Sequence, residues 1–140
     1  MFSQRIRRVM ECERMLTAPP QTTVKEAALL MAGANSGAVL VVEGETLIGI
    51  FTERDVVFRV IARGLDPVST TLQTVMTAAP ITVDPERSFG HALAVMHENR
   101  FRHLPVVVDG RLLGIVSARD ALDPELEEFV CEAQRRVAIR

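Results

Sequence analysis

The chain has 140 residues, of which 48% are hydrophobic, so it can bury a core without a structural metal or a disulfide. Its formal net charge of −2 argues against a nucleic-acid partner held by general attraction to phosphates. The longest apolar runs, such as 38–42, are too short to cross a bilayer, and the first residues lack a signal-peptide pattern. We therefore expect a cytoplasmic protein that contacts neither nucleic acid nor membrane.

The first predicted element is an amphipathic helix within residues 1–15. Apolar side chains recur there at helical spacing, and this stripe needs a surface to pack on. Its members are Phe2, Ile6, Val9 and Met10. Cys12, which follows the stripe, and Cys131 are isolated in the sequence, so neither predicts a zinc site or a redox pair.

An internal repeat occupies most of the chain. Placing Asp55 over Asp120 aligns residues 16–55 with residues 81–120 without a gap. We place the first repeat at 16–64, a linker that contains Pro67 at 65–74, and the second repeat at 75–123. The identical pairs are Thr17/Thr82, Pro20/Pro85, Ala27/Ala92, Met31/Met96, Val41/Val106, Val42/Val107, Leu47/Leu112, Gly49/Gly114, Ile50/Ile115, Arg54/Arg119 and Asp55/Asp120.

Each repeat is predicted to contain an amphipathic helix. Thr23 with Glu26 three residues on forms a capping box, and Ser88 is the matching N-cap of the second repeat. Apolar residues follow both caps at positions i, i+3, i+4 and i+7. They are Val24, Ala27, Ala28 and Met31 in the first repeat and Phe89, Ala92, Leu93 and Met96 in the second.

A β-hairpin is predicted after each of these helices. Two short runs rich in β-branched residues are separated by Gly-containing turns at 43–45 and 109–110. The runs are Val39–Val42 and Leu47–Phe51 in the first repeat, and Val106–Val108 and Leu112–Val116 in the second. A hairpin with two helices exposes one sheet face until its twin covers it, so neither half is expected to fold alone.

A second helix is predicted at the end of each hairpin. In the first repeat it begins at Thr52 and ends at Gly64. Its counterpart begins at Ser117 and meets Pro124 early, so it is short or restarts beyond the proline. The first of these helices should place Val56, Val57, Val60 and Ile61 on one face. A last amphipathic helix is predicted over 124–140, with Leu126, Phe129, Val130, Ala133 and Val137.

The ends of the two hairpins resemble a known family signature. Residues 49–55 read Gly-Ile-Phe-Thr-Glu-Arg-Asp and residues 114–120 read Gly-Ile-Val-Ser-Ala-Arg-Asp. Both are similar to the CBS (cystathionine-β-synthase) domain signature, Gly-apolar-apolar-Thr/Ser-x-x-Asp, and residues 102–110 are similar to the stretch that precedes it. The resemblance covers about 12–122. It implies an α/β (α+β) fold of two tandem β-α-β-β-α repeats about a pseudo-twofold axis, a Bateman module, with the extra N- and C-terminal helices.

The resemblance also implies two clefts that bind adenosine-containing compounds such as AMP, ADP, ATP or S-adenosylmethionine. In this family the signature aspartate accepts hydrogen bonds from ribose hydroxyls, and the other repeat supplies the adenine wall. One implied cleft combines Thr52, Arg54 and Asp55 with Thr77, Thr82, Phe101 and Arg102. The other combines Ser117, Arg119, Asp120 and His103 with Thr17, Ser36 and Gly37.

The chemistry of these residues suits such a ligand, although a simpler interpretation remains open. A carboxylate can accept from two vicinal hydroxyls, and an adjacent arginine can neutralise a phosphate. Thr52 with Asp55, and Ser117 with Asp120, equally satisfy the capping-box rule without any ligand. Capping leaves the arginine before each aspartate unexplained, because a cation in a helix's first turn opposes the macrodipole.

The two repeats differ next to the hairpin. Leu40 stands where the second repeat has Pro105, and Gly37-Ala38 replaces Arg102-His103. Because the second repeat keeps more of the pattern, we expect the Asp120 cleft to bind at least as tightly as the Asp55 cleft. His103 is either a phosphate contact or a neutral hydrogen-bonding residue under the hairpin.

No catalytic or metal-binding constellation is indicated. The sequence lacks a phosphate-binding glycine loop, and His91 and His97 are six residues apart, so they cannot share a metal from one helix face. We therefore expect a non-enzymatic sensor without a resident cofactor, whose partners are an adenosyl ligand, a second copy of the chain, and an unidentified regulated protein. The alternative is a purely structural dimerisation module with vestigial clefts.

Overall fold

The computed structural model describes residues 2–12 and 15–121. Its strands are Thr17–Ala18 (β1), Ala38–Glu43 (β2), Thr46–Thr52 (β3), Thr77–Ala78 (β4), His103–Val108 (β5) and Arg111–Ser117 (β6). Its α-helices are Ile6–Val9 (α1), Val24–Ala34 (α2), Glu53–Asp55 (α3), Leu72–Val75 (α4) and Phe89–Asn99 (α5). A π-helix over Val56–Ile61 continues α3, and a 3-10 turn over Ala118–Ala121 follows β6.

The two predicted amphipathic helices are present as α2 and α5, and their caps match the sequence signals. Thr23 Oγ1 accepts from the Glu26 amide at 3.2 Å, and Ser88 Oγ accepts from the His91 amide at 3.1 Å. Each cap satisfies one of the backbone donors that a helix start leaves unpaired. The predicted stripes point inward, with Val24, Ala27, Met31, Phe89, Ala92 and Met96 buried.

The predicted hairpins are also confirmed. β2 pairs antiparallel with β3, and β5 with β6, each with a register shift at the same repeat position, 41/42 and 106/107. Gly44, Asp109 and Gly110 have positive φ at the turns, as tight hairpins require. β3 and β6 are joined through Thr46 and Arg111, so the strands follow the order β1-β2-β3-β6-β5.

A cluster of apolar side chains lies between the two halves. Its buried members come from the first hairpin, and its partly buried members include residues of the second. Each hairpin thus covers the exposed sheet face of its twin, as the sequence predicted. The cluster comprises Ala38, Leu40 and Ile50, packed by Met15, Leu47, Leu112 and Ile115.

Two segments, which we call the lead-in segments, cross between the halves. Residues 6–12 precede the first repeat but pack on the second half, and residues 72–78 lie just before the second repeat's helix and hairpin but pack on the first half. Leu72 and Val75 are buried in the core of the first half, and β4 pairs with β3. Ile6 is buried in the core of the second half, and Glu11 bridges Ile115 of β6. The halves are therefore interlocked by an exchange of segments.

This exchange changes the interpretation of two predicted regions. The segment expected to be a linker, 65–74, ends in α4, whose first residue Leu72 is fully buried. The helix expected within 1–15 is the single turn Ile6–Val9, after which the chain extends along β6. Arg5 and Arg7 fix this turn on the second half through ion pairs of 2.6 and 2.7 Å to Glu86, which lower the pKa of that carboxyl group.

The four apolar residues expected on one face of the second helix differ in their burial. Val60 is fully buried and Val56 packs against the first core, but Val57 and Ile61 are 54% and 62% exposed. The first core reaches only one side of this helix, so the neighbouring apolar side chains, including Phe58, remain on the surface.

The last predicted helix, 124–140, lies outside the described residues. Within the described part of the chain, no helix has the length and apolar character that spanning a membrane would require.

Candidate functional site

The signature turns have the same local geometry in both halves. The Thr52 amide donates to Asp55 Oδ2 at 2.9 Å, and the Ser117 amide donates to Asp120 Oδ2 at 2.9 Å. The hydroxyl of Thr52 also donates to Asp55 Oδ2, at 3.3 Å. Both aspartates therefore cap the helical turn that follows the hairpin, which is the role that the capping interpretation required.

Asp55 has a second partner that the sequence analysis missed. Arg59 Nε lies 3.4 Å from Asp55 Oδ1, and Arg59 Nη1 donates to the carbonyls of Val75 and Met76 at 3.2 and 3.0 Å. Asp55 is only 8% exposed. The only available signal was the i, i+4 spacing of an acid and a base on one helix. Arg59 thus joins the first signature turn to the second lead-in segment.

Asp120 has a different environment. Its hydrogen bonds from the described residues come from the amide and hydroxyl of Ser117. Burial raises the pKa of Asp120, and the hydrogen bonds from Ser117 oppose this effect. Glu11 also raises the pKa, whereas His103 lowers it. The repeat alignment places Pro124 opposite Arg59, so the second repeat has no arginine at that position.

His103 lies at the junction of the two halves. A Cβ on Gly37 would lie 3.4 Å from His103 Cε1 and 3.1 Å from Glu53 Oε1, so all three residues meet at one point. Burial is the main reason that the pKa of His103 is lowered; Glu53 and Asp120 partly offset it. Among these groups, sequence analysis had selected His103, Gly37 and Asp120 but missed Glu53.

The arginines of the two signatures are exposed. Arg54 lies over the ring of Phe58, with its guanidinium carbon 5.0 Å from the ring centroid. This cation–π contact explains why an arginine is tolerated in the first turn of the helix, and the explanation requires no bound anion. Arg119 is exposed and lies within electrostatic reach of His103, as does Arg102.

The residues expected around Asp55 are spread over the second repeat. Thr77 pairs with Ile50 across β4 and β3, directly after the carbonyls that Arg59 binds. Thr82 is exposed. Phe101 packs on the second core and, with Arg102, lines an open depression of about 640 Å³ beside the C-terminal end of α5. Within the described residues, the polar partners of Asp55 are instead Thr52 and Arg59.

The residues expected opposite Asp120 lie on the first half. Thr17 is exposed on β1, where it pairs with Leu40. Ser36 Oγ donates to the Ala38 carbonyl at 3.2 Å, which shapes the turn before β2. Gly37 contributes its carbonyl to the Glu53 amide at 3.0 Å and leaves room beside His103. His103 thus connects Gly37 of one half with Asp120 of the other.

The junction combines a carboxylate, a hydroxyl and an imidazole. Such a set can accept hydrogen bonds from vicinal hydroxyls and contact a polar ring edge. No group of three potential metal ligands occurs within 2–12 and 15–121.

Comparison with known proteins agrees with this architecture. The family model of the CBS domain matches residues 6–62 and 72–125. The chain is 37% identical over 131 residues to the CBS domain-containing protein CBSCBSPB3 of Arabidopsis thaliana, covering 93% of this chain but only 24% of that protein. The chain therefore spans about a quarter of the length of this relative.

Solved structures share the fold. A putative signal-transduction protein with CBS domains from Burkholderia ambifaria is 37% identical, with a TM-score of 0.73 over 77% of this chain and 79% of that chain. The CBS domain protein PAE2072 of Pyrobaculum aerophilum, complexed with AMP, is 22% identical, with a TM-score of 0.79 over 92% and 99%. A hexameric CBS-CP12 protein from bloom-forming cyanobacteria is 27% identical, with a TM-score of 0.78 over 89% and 69%.

Proposed function

Because the chain belongs to the CBS domain family, we propose that it is a regulatory module that binds an adenosine-containing ligand between its two repeats. The observation that carries the proposal is the junction at His103, where residues of both halves meet beside the carboxylate of Asp120. A ligand at this place contacts both repeats at once. The AMP complex of the Pyrobaculum neighbour supports an adenine nucleotide as the ligand class.

The proposed contacts combine hydroxyl recognition with charge. Asp120 and Ser117 accept and donate hydrogen bonds at the ribose, while Arg119 and Arg102 offer exposed cations for a phosphate. Thr17, Ser36 and Gly37 supply the opposite wall from the first repeat. Binding across the junction favours one arrangement of the two halves, and this population shift changes the surface presented to a regulated partner. We propose binding without a catalytic step, because the hydroxyl of Ser117 is hydrogen-bonded to the carboxylate of Asp120.

Thermal melting with AMP, ADP, ATP and S-adenosylmethionine tests the proposal. A ligand that binds only the folded chain adds about 2.7 kcal/mol at 100 times its Kd, which raises the melting temperature by roughly 10 °C for a domain of this size. Inorganic phosphate is the control for binding through charge alone. Steady hydrolysis of ATP by the purified chain would contradict the non-catalytic assignment.

A second candidate is a structural module that acts through dimerisation alone. It is favoured by the exposed apolar side chains Val57, Phe58 and Ile61 on the π-helix. The same melting series separates the two functions, because a purely structural module shows no shift with any adenosyl compound.

A further inference from the structure

We propose that the second half contains a recognition site for a basic, extended peptide, and that residues 2–12 are its built-in ligand. We call these residues, which include the first lead-in segment, the strap, and we define its docking site as residues 85–90 together with β6. The strap leaves this site as a unit while the rest of the chain stays folded, and the same peptide from another molecule can take its place. This inference does not depend on the proposed nucleotide site.

The backbone of the strap pairs with residues 85–90 much as a peptide pairs with the edge of a sheet. Two amides of the strap donate to carbonyls of the docking site, each at 2.9 Å. These hydrogen bonds are Ile6 to Arg87 and Arg7 to Pro85. Arg5 and Ser88 also form an antiparallel bridge. Main-chain pairing of this kind gives a bound peptide affinity, and side-chain contacts give it specificity.

The strap also supplies hydrogen-bond acceptors to the start of α5. A helix start leaves its first backbone donors without partners inside the helix. The Phe89 amide donates to the Gln4 carbonyl at 2.7 Å. The Gly90 amide donates to the Phe2 carbonyl at 2.9 Å, and a Cβ on Gly90 would lie only 3.2 Å from that oxygen, so a side chain here would crowd the strap. Departure of the strap therefore exposes two donors that another peptide can bind.

Three side chains of the strap identify it to the docking site. Ile6 is fully buried in the core of the second half and is the apolar anchor. Arg5 and Arg7, on either side of it in sequence, lie 2.6 and 2.7 Å from the carboxylate oxygens of Glu86. The ligand class is therefore a peptide in which two arginines flank an aliphatic residue.

The first half makes equivalent backbone contacts with a different segment. The two amides that the repeat alignment places opposite those of Phe89 and Gly90 are bound there by residues 67–70. These hydrogen bonds are Val24 to Thr70 at 2.9 Å and Lys25 to Pro67 at 3.0 Å. The counterpart of Glu86, however, is the uncharged Gln21. The ion pairs to Glu86 therefore distinguish the strap from a segment that could otherwise make the same contacts at the wrong half.

The far end of the strap lies against β6. The amide of Glu11 donates to the Ile115 carbonyl at 2.8 Å, and the amide of Ile115 donates to the Glu11 carbonyl at 3.0 Å. Gly114 permits this approach, because a Cβ there would lie 2.8 Å from the Glu11 carbonyl oxygen. Ile115 is two residues before Ser117, where the second signature turn begins. Release of the strap therefore acts directly on the strand that leads into that turn.

Amide hydrogen exchange of the full chain tests whether the strap opens as a unit. The amides of the hydrogen bonds between strap and docking site should exchange together, at least about tenfold faster than those of β2. They belong to Ile6, Arg7, Glu11, Phe89, Gly90 and Ile115. Glu86→Gln should accelerate this group by about 3- to 10-fold at low salt, the effect of losing two exposed ion pairs. Glu98→Gln, in an exposed residue of α5, is the matched control and should have no effect, and the amides of Val24 and Lys25 should stay unchanged in both variants.

A synthetic peptide of residues 2–11 tests recognition. A tethered strap competes at roughly millimolar effective concentration, so the receiving chain carries Arg5→Ala, Ile6→Ser and Arg7→Ala, which leave the docking site unaltered. We expect the wild-type peptide to bind this chain in fluorescence anisotropy and to raise its melting temperature. The same peptide with alanine in place of both arginines should bind about 3- to 10-fold more weakly. Glu86→Gln in the receiving chain should remove this difference between the two peptides.

Each outcome decides the proposal. Exchange of the strap amides at the same rate as those of β2, in both the wild type and Glu86→Gln, would show that the strap does not leave separately and would overturn it. Equal affinities of the two peptides for the receiving chain would overturn recognition through Glu86. Because this chain lacks a buried isoleucine, circular dichroism is recorded with and without peptide. Refolding on addition of the wild-type peptide supports the proposal, whereas neither binding nor refolding opposes it. No measurement here uses a nucleotide, so the proposed function is tested separately.

Discussion

His103 is held between opposing influences at the junction of the two halves. Desolvation disfavours its charged form, and Arg102 and Arg119 add to that effect, while Glu53 and Asp120 favour the imidazolium. Desolvation dominates, so the pKa is lowered and the ring is neutral at pH 7. The neutral, hydrogen-bonding interpretation of this residue therefore agrees with its surroundings better than a phosphate contact.

Lowering the pH should destabilise the chain through His103. Its folded-state pKa lies below the unfolded value near 6.5, so the unfolded chain takes up the proton first as the pH falls through that value. The stability that neutral His103 contributes is complete above pH 6.5 and is lost towards the lowered folded pKa. His103→Gln should flatten the free energy of unfolding between pH 7 and pH 5, measured by chemical denaturation.

Asp120 limits the pH range over which the stabilities of the wild type and His103→Gln can be compared. Its pKa is raised in the folded state, so it stabilises the folded chain at low pH and this contribution is lost as the pH rises through the folded value. That dependence is opposite in sign to the one expected from His103. An unchanged pH profile in His103→Gln above pH 5 would show that the imidazole does not titrate differently on folding.

The residues of the two signature turns were found from the sequence because they recur in both repeats. Thr52, Ser117, Asp55 and Asp120 stand at equivalent positions, so the alignment of the repeats exposed them. Arg59 has no such twin, because its counterpart is Pro124. Glu53 was missed for the same reason, since the equivalent residue is Ala118. Their importance comes from contacts across the chain, which no local pattern reports.

At the scale of elements, the signature glycines mark where the lead-in segments cross the hairpins. A Cβ on Gly114 would lie 2.8 Å from the Glu11 carbonyl oxygen, and a Cβ on Gly49 would lie 2.4 Å from Met76 Sδ. Neither glycine has a positive φ, so close approach, not backbone conformation, excludes a side chain. The two close approaches differ in what a side chain would meet: the backbone of Glu11 at Gly114, and the flexible end of the Met76 side chain at Gly49.

Substituting alanine at these glycines should therefore have unequal effects. Gly114→Ala forces the backbone of the first lead-in segment away from β6, and we expect a loss of about 1 to 3 kcal/mol in the free energy of unfolding. Gly49→Ala should cost less, because Met76 can turn aside. Urea denaturation of the two variants gives the comparison, and equal losses would mean that the lead-in segments are not held as closely as described. Gly33→Ala, in α2 with open space around it, is the control.

The lead-in segments also show where prediction of elements stops. The caps at Thr23 and Ser88 and both hairpin turns depend on neighbours in sequence, and all were predicted. The burial of Leu72 depends on the core of the first half, whose other members come from several elements of the first repeat. A segment rich in hydroxyl residues with one proline is typical of a linker, and the sequence alone does not show the core on which Leu72 packs.

For the whole molecule, the exposed apolar side chains of the π-helix point to association. Val57, Phe58 and Ile61 are 54%, 59% and 62% exposed and adjacent on one element. Large contiguous apolar patches on a protein surface commonly mark interfaces. The homodimer expected from sequence stays a prediction, and the hexameric cyanobacterial neighbour shows that a protein of this fold assembles into oligomers.

Charged substitutions on the π-helix should dissociate this dimer. The double variant Val57→Glu and Ile61→Glu should convert the particle from dimer to monomer in light scattering, because two carboxylates per chain would be desolvated in the interface. Circular dichroism should stay native, since both side chains are exposed in the single chain. Val68→Glu, which is equally exposed but outside the π-helix, should remain dimeric. A wild-type monomer at micromolar concentration would rule out the predicted dimer.

The exchange of lead-in segments has a consequence for the time order of folding during synthesis. Residues 6–12 leave the ribosome before the two hairpins, yet their partner β6 is the last of the described strands to emerge. The first half, in contrast, has all the segments of its own core once residues 72–78 have left the exit tunnel. Residues 6–12 therefore wait for β6 while the core of the first half assembles, and they are secured only when the second half forms.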